Sequence, residues 1–349
     1  MIETIAHRLR HVHSLCDEPD LKRAIAAIPK CELHVHLAGA IRRHTLLDLA
    51  KRHGVALPAD EETFLASPSL LLLSSGEGIW DVFHRMYQWC WSCVQSCEDL
   101  ERIVFEFLED SARQGVIHSE FTVSGTALMR KFPFDEWAHA VAMGIDRARR
   151  LHAIRAAAIL DISRRSGPAQ ARANVERVVK HRPRAICGIG MGGDEVTYPD
   201  ALFHEAFACA RTHKIPSTVH VAEFNPGETT VTALEMLQPD RLGHALTTIG
   251  SAPAYALMRA RGIPVEICPV GNFVTGAGNL QRLADHPIRR YYDDGIPLSI
   301  NTDDPRIFGV DLIDTYICLV KELGFTLRDF ATINAQAMAA GFVVPSLDE

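Results

Sequence analysis

The chain has 349 residues, 36 Lys and Arg against 43 Asp and Glu, a formal net charge of −7, and 47% hydrophobic residues. That is too apolar for a disordered chain, and the mild acidity excludes a surface that grips nucleic acid by neutralising phosphates. No apolar run approaches the roughly 20 residues of a membrane span; the leucine run Leu70–Leu73 has four.

In chain order, the N-terminal stretch mixes charges throughout and has no apolar leader core, so the chain is expected in the cytoplasm. Nine cysteines without a secretory pattern read as free thiols in a reducing compartment. The first strand is expected over Glu32–Leu37. The stretch from 38 to 115 is far longer than one strand-helix unit needs, and a helical insertion over about residues 62–115 is expected to cover the mouth of the fold. Within it, Cys90, Cys93 and Cys97 share one helix face by spacing. With no fourth ligand nearby they read as core packing. Ile79, Phe83 and Met86, also at helical spacing, are expected either to wall a site or to pack the core.

Seven further strands are expected near Val116–Val123, Ile154–Asp161, Ala185–Met191, Ser217–Val221, Arg241–His244, Val265–Cys268 and Leu298–Asn301. Strands alternating with helical stretches imply a parallel sheet, and eight such units closing on themselves give a (β/α)8 barrel of the α/β class. An open doubly wound sheet is the alternative with the same pattern. No linker or repeat divides the chain, so residues 1–349 are expected to form one domain.

The chemistry-bearing residues fall at strand ends. In Glu32-Leu-His-Val-His-Leu37, His34 and His36 lie two apart and so project to one side of a strand. His220 ends the strand Pro216-Ser-Thr-Val-His220 and Glu223 follows it. His244 ends Arg241-Leu-Gly-His244, and Asp303 and Asp304 follow Leu298–Thr302. Strand ends of this kind are where a barrel carries its active site. His34, His36, His220 and Asp303 supply three nitrogens and one carboxylate, a set suited to Zn²⁺ and tolerable to iron or cobalt. A water on such an ion ionises near neutral pH. His244 is left to orient or deprotonate that water, Glu223 to give or take a proton, and Asp304 to receive an N–H from a substrate. Gly188-Ile-Gly-Met-Gly-Gly193 contains a literal GxGxxG, but Asp194 and Glu195 follow at once and would repel a pyrophosphate. Its glycines are better suited to letting the backbone approach a flat ligand.

Taken together, Pro29-Lys-Cys-Glu-Leu-His-Val-His-Leu-Ala-Gly39, Gly192-Gly-Asp-Glu195, His220-x-x-Glu223, Arg241-Leu-Gly-His244, Cys268-Pro269 and Asn301-Thr-Asp-Asp-Pro305 resemble the ordered signature of the adenosine deaminase family from about residue 29 onward. The resemblance implies an amidohydrolase barrel with one zinc per chain that hydrolyses the 6-amino group of a purine to a 6-oxo group and ammonia. It implies that His34, His36, His220 and Asp303 hold zinc, that Glu223 protonates the ring nitrogen beside the attacked carbon, and that His244 is the base on the water. It places His36, Gly193 and Asp304 against the substrate, Asp304 on the imidazole-ring nitrogen and the Gly193 amide on the six-membered ring. The chain departs from the pattern at Ala38, where adenosine deaminases carry the Asp that holds the ribose 5′-hydroxyl and adenine deaminases usually carry Glu. It departs again at Val221, Gly190 and Gly271. These changes leave the metal and proton-transfer groups intact and put the substrate's identity in question, with adenine or a 5′-modified nucleoside as alternatives to adenosine. A two-metal amidohydrolase would carry Lys at the end of the fourth strand, and Ala185–Met191 has none. A non-catalytic barrel would have lost one of these groups. The partner is a small purine, not nucleic acid or a membrane; oligomeric state has no signature in the sequence.

Overall fold

The computed structural model describes residues 2–66 and 78–342, so the leucine run Leu70–Leu73 and part of the expected insertion lie outside the described residues. Eight parallel strands follow one another in sequence order: β1 (Lys30–Glu32), β2 (Val116–Ser124), β3 (Arg155–Ser163), β4 (Ile186–Gly192), β5 (Ser217–Val221), β6 (Arg241–His244), β7 (Val265–Ile267) and β8 (Leu298–Ile300). Helices join them on the outside, giving a (β/α)8 barrel. The strands read as near-continuous apolar runs because both faces are covered, as in Ala157–Leu160 of β3, all fully buried.

The expected strand positions hold within two residues except at the first. β1 begins at Lys30 and stops at Glu32, where the next N–H, that of Leu33, turns to a side chain; single backbone bridges resume at Val35 and at His36, the latter to Thr122 of β2. The Cys31 N–H donates to Asn334 Oδ1 and the Leu33 N–H to Asn301 Oδ1. The chain then closes the barrel at its C-terminal mouth. The His36 N–H donates to the Asp303 carbonyl at 2.8 Å and the Asp303 N–H to the His34 carbonyl at 3.2 Å. Closure is therefore made by the residues that carry the chemistry.

Between β1 and β2 lie helices Arg43–His53, Glu61–Ala66, Ile79–Cys93 and Cys97–Arg113. The cysteine spacing does not mark one helix. Ile79–Cys93 ends at Cys93, and Ser96 starts the next helix with a capping box, its hydroxyl accepting from the Asp99 N–H and the Asp99 carboxylate accepting from the Ser96 N–H. Cys90 and Cys93 are buried in the core beside Trp91 and Val94. Gly188, Gly190 and Gly192 lie along β4 and Gly193 just beyond it, and no helix among the described residues opens on them. No helix among the described residues is long and apolar enough to cross a membrane.

Candidate active site

At the mouth of the barrel, His34, His36 and His220 converge so that one ring nitrogen from each lies within 4.8 Å of the others. Asp303 Oδ1 lies 3.2 Å from His36 Nε2 and 3.6 Å from His34 Nε2. His34 Nε2 is buried with no hydrogen-bond partner among the described residues. Its other nitrogen, Nδ1, meets Glu266 Oε2 at 2.8 Å, and His36 Nδ1 meets Thr122 Oγ1 at 2.8 Å. Partners on the Nδ1 side turn the Nε2 lone pairs inward, which is how metal-ligating imidazoles are held. An orphaned, buried nitrogen beside two imidazoles and a carboxylate fits a metal ion. Cys268 also reaches this cluster beside His34 and Asp303, and burial raises its thiol well above the ordinary range.

Glu223 and His244 face this cluster, with Glu223 Oε2 3.7 Å from His244 Nε2. Burial pushes the Glu223 carboxyl well above the usual carboxylate range, and the charges of Asp303 and Glu195 add to the effect. Burial, helped by the charge of His34, brings His244 down to about 3, so its ring is neutral at neutral pH. The Asp304 carboxyl is raised to about 7 by burial and by the adjacent Asp303, and accepts a hydrogen bond from Tyr87 Oη at 2.7 Å. Asp303 and His244 both sit at positive φ, +64° and +58°. For residues with side chains this is a costly conformation that clusters at functional sites. Gly39 is forced: a Cβ there would fall inside the Asp304 carboxylate. Gly193 sits at φ +94° and lines the cavity.

One cavity gathers His36, Gly193, His220, Glu223, His244, Asp303 and Asp304, while His34 sits beneath it. Every site residue expected from the sequence is thus in one place. Helix Ile79–Cys93 roofs the cavity with Trp80, Phe83 and Tyr87. Of the three residues expected there, Phe83 lines the wall, Met86 is buried in a cluster with Val82 and Val274, and half-buried Ile79 belongs to neither.

Sequence reasoning assigned no role to several residues that hold the site. Glu195 Oε1 accepts the backbone N–H groups of Glu223, Phe224 and Asn225 at 2.6–2.9 Å, so the end of the GGDE motif fixes the loop that carries Glu223. Glu32 Oε1 accepts from Thr302 N–H and Oγ1, pinning the turn before Asp303. Glu266 links His34 to Arg241, whose other nitrogens reach Glu120 and the Ala340 carbonyl. A charged residue inside the strand Val265-Glu-Ile was the signal for Glu266, since unpaired charge is not buried there. Asp161 also faces the cavity, on β3 opposite Gly190. Its carboxylate accepts no hydrogen bond from the described residues.

A (β/α)8 barrel with imidazoles and a carboxylate converging at its mouth, beside a buried Glu and a buried His that face each other, defines an amidohydrolase. The sequence model of the adenosine deaminase family matches residues 29–346, and the chain belongs to that family. It is therefore a hydrolase acting on carbon–nitrogen bonds of cyclic amidines, of the adenosine or adenine deaminase type. It is 30% identical over 336 residues to the adenosine deaminase of Bos taurus, covering 90% of each chain. It is also 30% identical over 297 residues to an aminodeoxyfutalosine deaminase of Acidothermus cellulolyticus, covering 83% of this chain and 81% of that one. Among solved structures, a zinc-bound amidohydrolase from Burkhoderia ambifaria superposes with a TM-score of 0.82 at 28% identity, over 92% of this chain and 88% of that one.

Proposed function

We propose that this chain is a zinc-dependent deaminase of a 6-aminopurine nucleoside, releasing the 6-oxo purine and ammonia, and that it works as one domain in the cytoplasm. The observation that carries the reading is the approach of Glu223 Oε2 to 3.7 Å from His244 Nε2, both buried beside the histidine and aspartate cluster, with burial raising the Glu223 carboxyl and lowering the His244 ring. His34, His36, His220 and Asp303 would hold a single zinc ion, which when bound supplies a water acidic enough to ionise near neutral pH. Glu223 donates its proton to purine N1 as C6 is attacked, and the resulting carboxylate relays a proton to the departing amino group. Asp304, held by Tyr87, takes the N7 side, and the Gly193 N–H takes N3. His36 borders the purine on the metal side. Helix Ile79–Cys93, from the expected insertion, excludes water above the ring. A panel of 6-aminopurines assayed for ammonia release, with metal counted per chain, tests this. No release from any of them, or two metals per chain, would overturn it.

With N1 toward β5, N3 toward β4 and N7 toward β8, the N9 substituent points at the ends of β1, β2 and β3. There the wall is Ala38, Ser124 and Asp161. Ala38 has no acceptor for a 5′-hydroxyl, and an unpaired buried hydroxyl costs about 1–3 kcal/mol. Relatives named for adenosine and for aminodeoxyfutalosine are equally similar to this chain, so identity does not choose between substrates. The 5′ end is therefore where tolerance is expected. Adenosine should exceed 5′-deoxyadenosine in kcat/KM by less than the roughly 10-fold that a well-used hydroxyl contact gives. Comparing kcat/KM for adenosine, 5′-deoxyadenosine and adenine decides it; a strong, sole preference for adenosine would mean that another residue takes the 5′-hydroxyl.

Glu266 gives a separate handle on the metal. Glu266→Gln keeps the shape but loses the charge that steadies the His34 imidazole. Removing such an outer partner costs on the order of 10–100-fold in metal affinity. Zinc competition against a chromophoric chelator measures it, and unchanged affinity would place Glu266 in the barrel core only.

A further inference from the structure

The direction of one buried hydrogen-bond chain can be read from its far end. The Ile288 backbone N–H can only donate, and it donates to His286 Nδ1 at 3.1 Å. His286 is 3% exposed, and burial brings it down to about 3, so the ring is neutral. A neutral ring with a lone pair at Nδ1 carries its proton on Nε2. That nitrogen lies 3.4 Å from Asn272 Oδ1, which accepts it. With its oxygen committed, Asn272 turns its Nδ2 to His244 Nδ1, 3.0 Å away, and donates. His244 Nδ1 is then an acceptor, and the single proton of the neutral ring sits on Nε2. That is the edge facing Glu223. The reverse orientation would set Asn272 Nδ2–H against His286 Nε2–H, two donors head to head in a dry pocket, which buried groups do not tolerate.

We infer that Asn272 and His286 are positioning residues that lock His244 as the Nε2–H tautomer, so that His244 donates a hydrogen bond to the attacking water and does not take its proton. The inference rests on the deaminase reading and changes one assignment within it, since the family resemblance made His244 the base. Of the two roles that the residue pattern left open for His244, orienting the water is the one retained. Proton transfer then belongs to Glu223.

Two measurements test the lock. In the ¹⁵N-histidine NMR spectrum of the zinc-loaded protein, with the His244→Ala spectrum used to assign the signals, His244 should show a protonated Nε2 and an unprotonated Nδ1 near neutral pH. The opposite pattern overturns the inference. Asn272→Asp replaces the donor by an acceptor and draws the proton to Nδ1. If His244 must donate from Nε2, kcat at neutral pH falls on the order of 10²–10⁴-fold with zinc retained, the scale seen when a catalytic histidine is held in the wrong tautomer. Activity should then recover toward lower pH, where the protonated ring donates again. If His244 is a base, an Asp partner should leave kcat unchanged or raise it, and that result sinks the proposal. Should the variant not fold, the wild-type spectrum alone decides. A wild-type enzyme that deaminates no 6-aminopurine would defeat the proposed function, an outcome distinct from either result on the tautomer.

Discussion

Glu223→Gln is expected to lower turnover by at least about 10²-fold, the usual scale for a positioned general acid, with zinc content and melting temperature close to those of the parent. Gln keeps the volume and can hydrogen-bond N1, but it has no proton to give and cannot carry one to the leaving amine. The wild-type carboxyl can give a proton at neutral pH because burial and the charges of Asp303 and Glu195 raise it well above the ordinary carboxylate range. The sign of the pH dependence follows. A group whose pKa is raised is in its acid form below that pKa and loses it above. The wild type should therefore lose kcat/KM on the alkaline side as Glu223 ionises. The Gln variant should lack that limb in its residual rate. Near-native turnover in a fully metallated Gln variant would remove Glu223 from the mechanism.

The parts of this molecule that were legible in the sequence are those where local pattern and chemistry coincide. Strands such as Ser217–Val221 and Arg241–His244 are short apolar runs ending in an ionisable residue, and their positions match the structure to the residue. The first strand did not read correctly: the alternation in Glu32–Leu37 is real, but the regular ladder stops at Glu32 and only single bridges follow, Val35 to Asp303 and His36 to Thr122 of β2. Asn301 and Asn334, about 270 and 300 positions away in sequence, take the hydrogen bonds that a regular strand would have supplied. No local signal carries that information. The same holds for most supports of the site, the exception being Glu266, whose charge inside an apolar strand was a local signal for its burial but not for its partner. His34 and Asp303 are legible as ligands by type and position, whereas Glu266, Glu195 and His286 act only through contacts that the closed barrel creates. Helix Ile79–Cys93 shows the intermediate case. Its helical period was clear, but which face meets the cavity was settled by packing. Tyr87 reaches Asp304, while Met86, one residue away, is buried beneath.

His34→Ala should lose metal and activity together, whereas His244→Ala should keep most of its metal and lose activity. His34 Nε2 is the buried nitrogen with no partner but the space between His36, His220 and Asp303, so truncating it removes a donor that nothing nearby replaces. It also leaves the Glu266 carboxylate without the imidazole that it holds, with Arg241 and Thr218 as its remaining partners. His244 instead faces Glu223 and is anchored by Asn272, so its loss opens space beside the cluster without subtracting from the donor set. Stability separates the two variants further. A ligand present at a thousandfold excess over its Kd stabilises the folded state by about 4 kcal/mol. A strong chelator should therefore lower the melting temperature of the wild type and of His244→Ala. The already empty His34→Ala should melt at the same temperature with or without chelator. Elemental analysis of the two purified variants, alongside melting curves in both conditions, makes the assignment. If His244→Ala proves to be the variant that arrives without metal and ignores the chelator, ligand and water-orienting residue have been exchanged, and the roles argued for both are wrong.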